Sequence, residues 1–308
     1  MHNRNHSHNH DVELRGHLKI AAYITAAIFF VELIGGYLTN SLALMSDAAH
    51  VLMDVAALAI SWFAHYMSTK PATETKTFGL HRFEVFASLV NGLSLLFISL
   101  FIFYRAAGRL MHPEEVESVG MLIVAAIGLG VNLFVAFFLR GFAAGDLNVR
   151  SAYFHVIGDS LASVGVIIGA LIIYKTGWQA ADPVISFFIG AIIIFGSVRI
   201  INESMHILLE GVPREIEFSG VVEDIKSVEG VTGVHSLHIW SICYNIYALS
   251  AHVDVTASSK TWKGDTVKEI NEILARKHRI FYTTLQADCV TCSSDEMLRK
   301  IEHHNKGA

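Results

Sequence analysis

Charged residues are scarce in this chain of 308 residues: only 17% are Asp, Glu, Lys or Arg, whereas 53% are hydrophobic. A soluble domain carries about 25% charged residues, so the composition excludes an ordinary soluble protein and predicts a membrane protein. Cysteine is scarce as well, and three residues make a disulfide scaffold a poor explanation of the fold. A cleavable signal pattern is also missing, because the polar, His-rich N-terminus precedes an apolar run of full spanning length.

Six apolar segments are each long enough, at roughly 20 residues, to cross a bilayer as a helix. They are predicted at Ile20–Leu38, Ser41–Tyr66, Val85–Tyr104, Val119–Leu139, Tyr153–Tyr174 and Pro183–Val198. Most Lys and Arg residues near the ends of these spans lie on the side of the N-terminus, with Arg105 and Arg109 as a local exception. The positive-inside rule therefore predicts that both termini are cytoplasmic.

The composition changes after Arg199 to mixed polar and apolar sequence. Periodicity there predicts the order helix, strand, strand, helix, strand, with a turn at Tyr244–Asn245. The predicted elements are Phe218–Val228, Val234–Ile242, Tyr247–Val255, Thr261–Lys277 and Arg279–Ala287. This order suits a small open α+β sandwich of the ferredoxin-like kind, and we expect pairing with a second copy to support its modest core.

The predicted fold class is therefore an all-α bundle of six transmembrane helices followed by a cytoplasmic α+β ferredoxin-like domain. We divide the chain into four parts on this basis. These are a His-rich cytoplasmic tail (residues 1–17), a transport domain (18–204), a metal-binding and dimerisation domain (205–295) and a C-terminal tail (296–308). The expected partners are the lipid bilayer and a second copy of the chain, with no nucleic acid.

Two predicted spans carry the same pattern, His-x-x-x-Asp, as His50 with Asp54 and His155 with Asp159. Residues four apart lie on one helical face, a turn apart. One such His could simply hydrogen bond within the bundle, but ionisable groups in hydrocarbon are costly and by default mark an ion pathway. Two nitrogens and two oxygens suit four-coordinate Zn²⁺. Because imidazoles titrate near neutral pH, metal binding would compete with protons, which predicts a proton-coupled carrier.

Other polar residues inside the spans have plainer interpretations. Asp47 shares the face of His50, and we favour a structural or entry role for it over a third ligand. Glu32, Asn91 and Asn132 are expected to form hydrogen bonds between helices. His65 and His81, at the cytoplasmic ends of spans two and three, form a candidate relay site for metal. Arg82 and Glu84 are consistent with an interfacial ion pair.

The domain after the spans carries its own candidate zinc ligands. His235 and His252 fall on adjacent predicted strands, and the third strand ends near Asp288, so a His, His, carboxylate site is plausible, with surface histidines as the alternative. The segment SAHVDV also contains Asp254. A second candidate site combines the C-x-x-C pair with the N-terminal tail; its residues are Cys289, Cys292, His8 and His10.

At these residues the chain resembles the cation diffusion facilitator family, and within it the zinc-exporting branch of CzcD-like and ZitB-like proteins. The resemblance covers nearly the whole chain through SLALMSDAAHVLMD, TFGLHRFEV, FHVIGDSLASVGV, ADPVIS and GVHSLHIW. It implies six spans, a ferredoxin-like cytoplasmic domain, a homodimer and alternating access that couples metal export to proton entry. The positions implied as transport ligands are His50, Asp54, His155 and Asp159.

The resemblance also implies that His50 favours zinc over cadmium, and that His235, His252 and Asp288 hold zinc in the cytoplasmic domain. Gln286 stands where some relatives have His. A long His-rich loop between spans four and five is missing, which favours a bacterial exporter in the cell membrane.

Two other classes of protein compete with a metal carrier. An intramembrane metalloprotease would need the H-E-x-x-H motif, which is absent. A membrane-anchored metal sensor has no need of buried ligands in two spans.

Overall fold

The computed structural model describes residues 24, 26–140, 147–255, 262–288 and 297. The chain divides into two compact units, of which the first comprises Met1–Ile60 and Val90–Ile200. The second comprises Ser61–Leu89 and Ile201–Ala308. The first unit contains most of the apolar helices, and the second contains a small mixed α/β domain together with the ends of three of those helices.

Long apolar helices dominate the first two-thirds of the chain. They are α1 (Ala26–Leu38), α2 (Leu42–Ser68), α3 (Arg82–Met111), α4 (Ser118–Arg140), α5 (Leu147–Thr176) and α6 (Ala181–Leu208). Over the described residues, five of these helices, α2 to α6, are long and apolar enough to cross a membrane, and α1 is shorter. The start of the predicted first span, from Ile20, lies largely outside the described residues. The other five predicted spans coincide with observed helices, except that Ser41 lies one residue before the start of α2. The helices extend beyond the other predicted ends because the polar helix ends were not included in the sequence prediction.

Small residues allow α1 to approach α4 closely. A Cβ added to Gly35 would lie 2.6 Å from Cγ2 of Val124, and one added to Gly128 would lie 2.6 Å from Oε1 of Glu32. Glycines of this kind let neighbouring transmembrane helices pack backbone to side chain. The α1 helix ends at a tight link in which Asn40 has a φ of 53°, so that α2 can begin at once.

A carboxylate at the start of α6 caps α2. Asp182 is fully buried and accepts hydrogen bonds from Ser41 Oγ at 2.6 Å, Leu42 N at 2.8 Å and Ala43 N at 3.1 Å. These are the backbone donors that a helix N-terminus leaves unsatisfied, and its dipole favours an anion there. Arg109 Nη1 lies 3.4 Å from Asp182 Oδ2. Arg109, the exception in the charge count, is therefore a buried structural cation.

The second unit contains the predicted helix, strand, strand, helix, strand order. Its elements are α7 (Phe218–Lys226), β1 (Val231–Cys243), β2 (Ile246–Val255), α8 (Trp262–His278) and β3 (Ile280–Asp288). The sheet has the order β1-β2-β3, with β1 antiparallel to β2 and β2 parallel to β3. The β1–β2 turn falls at Tyr244–Asn245 as predicted, and Asn245 takes a φ of 60°. Helix and strand side chains share one core, including Ile225, Leu237, Leu249, Ile270 and Leu274.

Candidate metal sites

The two His-x-x-x-Asp pairs meet between α2 and α5. Asp54 Oδ2 lies 3.6 Å from His50 Nε2 on its own helix and 3.3 Å from His155 Nε2 on the other. His155 Nε2 in turn lies 3.6 Å from Asp159 Oδ2. We call these four residues the tetrad. The spacing of four residues brings each pair together locally, and the packing of the two helices joins the pairs.

The tetrad has the donors and the scale of a metal site. Zinc ligands at about 2.0–2.1 Å in a tetrahedron stand roughly 3.3 Å from one another, close to the spacings found here. The contacts form a chain rather than a closed cage, since the ring centroids of His50 and His155 are 6.2 Å apart. Within the described ranges, no three His, Cys, Asp or Glu side chains already stand close enough to hold an ion. Side-chain rotation is therefore needed to close the tetrad around a metal.

Accessibility and hydrogen bonding also fit an exchangeable site. The side chain of His155 is 44% exposed, whereas that of Asp159 is 9% exposed. His50 Nδ1 is a buried atom without a hydrogen-bond partner, and Asp54 Oδ2 is shared between two imidazoles. Buried polar atoms in proteins normally have partners, and exceptions need an explanation such as an ion. The tetrad combines one accessible imidazole with donors that a cation would satisfy.

Further polar residues lie buried in the same helical unit. Glu32 is 1% exposed, Asp47 is 3% exposed and Asn132 is 7% exposed, whereas Asn91 is half-buried. Glu32 was expected to hydrogen bond to a neighbouring helix, but its Oε2 is buried without a partner. Hydrogen bonding between helices therefore does not account for this carboxylate oxygen of Glu32.

The structure gives the residues of the predicted relay different partners. His65 Nδ1 lies 3.3 Å from Glu84 Oε1, and Ser68 donates a hydrogen bond to the same carboxylate oxygen at 2.7 Å. In the part of the chain that the structure describes, no hydrogen bond or ion pair joins His65 to His81. The suggested Arg82–Glu84 ion pair is wrong, because Arg82 pairs with Glu210 at 3.1 Å.

The cytoplasmic histidines are brought together by the sheet. His235 on β1 is the register partner of His252 on β2, and their ring centroids are 5.2 Å apart. An irregularity in β1 separates His235 from His238, with Ser236 at a φ of 50°. It breaks the alternation expected of a strand, so that Val234 and His235 are both buried and His238 is exposed.

Asp254 brings a carboxylate close to His235. Its Oδ1 lies 3.9 Å from His235 Nε2, and both ring nitrogens of His235 and Oδ1 of Asp254 are buried without hydrogen-bond partners. Gly233 makes room for this carboxylate, because a Cβ there would lie 2.5 Å from Asp254 Oδ2. On β3, Asp288 is the register partner of Asp254, and Gln286 is that of His252. Asp254 was noted in its motif but not selected as a ligand.

The second predicted cytoplasmic site lies outside the described residues, which include none of Cys289, Cys292, His8 and His10. Its members therefore stay predictions from the sequence alone.

Family models match both units of this fold. Residues 18–209 match the cation efflux transmembrane domain, and residues 213–289 match the cytoplasmic domain of cation efflux proteins. The chain belongs to the cation efflux family. This confirms the family assignment made from the sequence motifs, and it means that the protein is a multi-pass membrane transporter and not an enzyme.

Relatives across nearly the full length support the same assignment. The chain is 37% identical over 317 residues to the "cadmium, cobalt and zinc/H(+)-K(+) antiporter" of Bacillus velezensis, covering 99% of each protein. It is 38% identical to the metal cation efflux system protein CzcD of Cupriavidus metallidurans, covering 97% of this chain and 94% of that protein. It is 33% identical to the human proton-coupled zinc antiporter SLC30A8, covering 88% and 78% respectively.

Two further groups of this cation efflux protein have electrostatic surroundings that define their roles. The hydrogen bond from Lys277, and then that from His278, hold the pKa of Asp224 below its usual range. These two hydrogen bonds connect α7 to α8.

Burial, and then the charge of Glu84, raise the pKa of the Cys243 thiol to about 11. Because thiolates and not thiols bind metals, Cys243 is a core residue rather than a ligand at neutral pH.

Proposed function

We propose that this protein is a zinc exporter that exchanges cytoplasmic Zn²⁺ for protons by alternating access, with the tetrad as its cargo site. The observation that carries the proposal is the position of Asp54 Oδ2, which lies within 3.6 Å of both imidazole Nε2 atoms. The names of the relatives support zinc as cargo and protons as counter-ions. An intramembrane protease is not supported, since the family consists of transporters.

The chemistry of the tetrad explains how zinc and protons would exclude each other. Two carboxylates neutralise the charge of Zn²⁺, and two neutral imidazoles add borderline donors without further charge. An imidazole that carries two protons has no lone pair for a metal, so zinc binding requires deprotonated histidines. In the inward-facing state zinc would displace protons. After the bundle rearranges, protons entering from outside would displace zinc.

We further propose the complete architecture that the family implies. It has six spans, a ferredoxin-like cytoplasmic domain, both termini in the cytoplasm, and a location in a bacterial cell membrane. The match of residues 213–289 to a cytoplasmic domain supports this orientation. That family model is also named for dimer formation, which supports a homodimer.

The cytoplasmic domain is proposed to hold a regulatory or structural zinc ion. His235, His252 and Asp288 would be its ligands, joined by Asp254. The buried, unpartnered ring nitrogens of His235 fit this role, because such atoms are costly unless something satisfies them. We keep His65 and His81 as a proposed entry relay, and Cys289, Cys292, His8 and His10 as a proposed second site.

The test is zinc flux into proteoliposomes under an imposed pH gradient. Wild type should show gradient-driven zinc flux, and Asp54→Asn should abolish it because that variant removes the charge shared by both imidazoles. Glu115→Gln, which neutralises an exposed acid outside the helices, is the matched control and should behave as wild type. Absence of flux in the wild type would favour a metal sensor, and normal flux in Asp54→Asn would reject the tetrad as cargo site.

A further inference from the structure

A second polar cluster lies beside the tetrad and takes no part in the mechanism above. It consists of Glu32 on α1, Asp47 on α2, Asn132 on α4 and Ser163 on α5, and we call it the acidic pocket. Glu32 and Ser163 are each only 1% exposed. Glu32 Oε2 is buried without a hydrogen-bond partner. A carboxylate is thus left unsatisfied beside an acid, an amide and a hydroxyl from three other helices.

The surface of α4 shows that these groups converge. A Cβ placed on Gly128 would lie 2.6 Å from Glu32 Oε1 and 3.8 Å from Ser163 Oγ. Gly128 and Asn132 are both buried on α4, one turn apart. The glycine therefore leaves the space into which the carboxylate and the hydroxyl both point, with an amide on the same helix face.

The charge of the pocket calls for a cation. The charged groups that act on Glu32 are Asp47 from α2 and Asp159 from α5, both acidic; α4 faces it with the uncharged Gly128 and Asn132. Among the described residues, no Lys or Arg forms an ion pair with Glu32 or Asp47. Unpaired buried carboxylates cost several kcal/mol each, so a proton or a bound cation must compensate them.

The donor set indicates which kind of cation. The pocket offers carboxylate, hydroxyl and amide oxygens and no imidazole or thiolate. Zinc in structural and catalytic sites prefers nitrogen and sulfur donors with a few carboxylates, whereas all-oxygen sets suit hard cations. The tetrad, with its two imidazoles, is the better zinc site of the two, and the acidic pocket is the better site for a hard ion.

We propose that the acidic pocket is a separate counter-ion site, in which Glu32 binds the proton or hard cation that is exchanged for the metal. This inference rests on the proposed function and deepens it. Asp159 belongs to the tetrad and lies one turn from Ser163 on α5, so it links the two sites. Metal bound to Asp159 cancels its negative charge and weakens cation binding at Glu32, and departure of the metal restores it. Such coupling is reciprocal and typically amounts to about 5–150-fold in affinity.

The first experiment counts protons released when zinc binds to the purified protein in detergent, in choline and in potassium salts. Wild type in choline should release about one proton more than Glu32→Gln. The zinc affinity of the tetrad should change in the variant by no more than the coupling itself, about 5–150-fold. If potassium is the occupant, the additional proton release should disappear in potassium salts. Equal release by wild type and Glu32→Gln in both salts would overturn the proposal, as would loss of zinc binding in the variant.

The second experiment uses a matched pair of glycine variants on α4. Gly128→Ala places a methyl group against the Glu32 carboxylate, whereas Gly130→Ala meets no atom within 4 Å. In proteoliposomes, Gly128→Ala should reduce the stimulation of zinc flux by a pH gradient or a potassium gradient about tenfold while leaving downhill zinc flux in place. Gly130→Ala should behave as wild type. Full stimulation in Gly128→Ala would count against the pocket, whereas absence of any zinc flux in wild type would instead reject the proposed function.

Discussion

The tetrad and the cytoplasmic histidine site use the same donor types on different scaffolds. In the tetrad, each His and Asp pair lies one turn apart on a helix, and helix packing alone joins the pairs. In the cytoplasmic site, His235 and His252 are register partners in a hydrogen-bonded ladder. Helices can slide or tilt while keeping their internal hydrogen bonds, whereas adjacent strands cannot separate without losing theirs.

The difference between packed helices and paired strands indicates which site is suited to release its ion. His155 in the tetrad is 44% exposed, whereas the side chain of His235 is 7% exposed. A cargo site must open to water and change shape in each cycle, and a site between two packed helices can do so. A retained ion is better held on a sheet, where the donors keep their positions. The following predictions test this distinction, beginning with the largest expected effect.

Neutralising one carboxylate in each site should separate transport from retention. Asp159→Asn should reduce zinc transport about 100-fold. Replacing a residue that only hydrogen bonds to a metal ligand typically lowers metal affinity or activity 10–100-fold, and losing the ligand itself should lower it at least as much. Asp254→Asn should leave transport within about threefold of wild type while lowering the zinc retained per protein. Flux and zinc content, measured on the same reconstituted samples, check both. Equal loss of transport in the two variants would show that the sites do not differ in role.

Changing the donor type at the tetrad should change the ion carried. His50→Asp replaces a nitrogen donor by a carboxylate, and we expect the ratio of cadmium to zinc flux to rise about tenfold, because ligand type sets metal preference. His112→Asp, an exposed position beyond the end of α3, is the control. A ratio in His50→Asp equal to that of the control would remove His50 from the selectivity determinants.

A methyl group at Gly233 should damage only the cytoplasmic site. Gly233→Ala pushes against Asp254 Oδ2, whereas a Cβ on Gly220 meets nothing closer than Glu217 Cβ at 3.9 Å. We expect Gly233→Ala to weaken zinc binding by the cytoplasmic domain about tenfold and Gly220→Ala to leave it unchanged. Zinc titration of the intact protein would measure this. Unaltered binding in Gly233→Ala would mean that Asp254 does not contact the ion.

The smallest effect concerns the pH dependence of the cytoplasmic domain. Because Lys277 and His278 hold the pKa of Asp224 below its usual range, the ionised carboxylate stabilises the folded state. That contribution is complete above the unfolded pKa of about 4 and is lost as the pH falls through the lowered pKa. Asp224→Asn should therefore cost about 0.5–1 kcal/mol at neutral pH and little in strong acid.

Hydrogen exchange of the α7 and α8 amides in the intact protein, corrected for intrinsic rates, would measure this cost. Glu223→Gln, which changes the exposed neighbouring acid, is the control. A difference between Asp224→Asn and the control that does not shrink on acidification would contradict the assigned role of the ion pairs.

Short-range sequence patterns predicted several of the contacts that the structure shows. His50 with Asp54, and His155 with Asp159, could be paired from the sequence because a spacing of four residues fixes their distance on any helix. The alternating pattern likewise placed His235 and His252 on adjacent strands, and the turn at Tyr244–Asn245 was recognised from its residues. In each case the relation spans a few residues or a single ladder, where backbone geometry leaves few alternatives.

The sequence by itself therefore determined the apolar helices, the order of the cytoplasmic elements and the two His-x-x-x-Asp pairs. Only the tertiary structure decided which distant groups meet. Asp182 caps α2 from 141 residues away, Glu32 points at Gly128 on another helix, and Asp254 approaches His235 beside an irregular strand. No local periodicity encodes such contacts, because they depend on how closely small residues allow separate elements to pack.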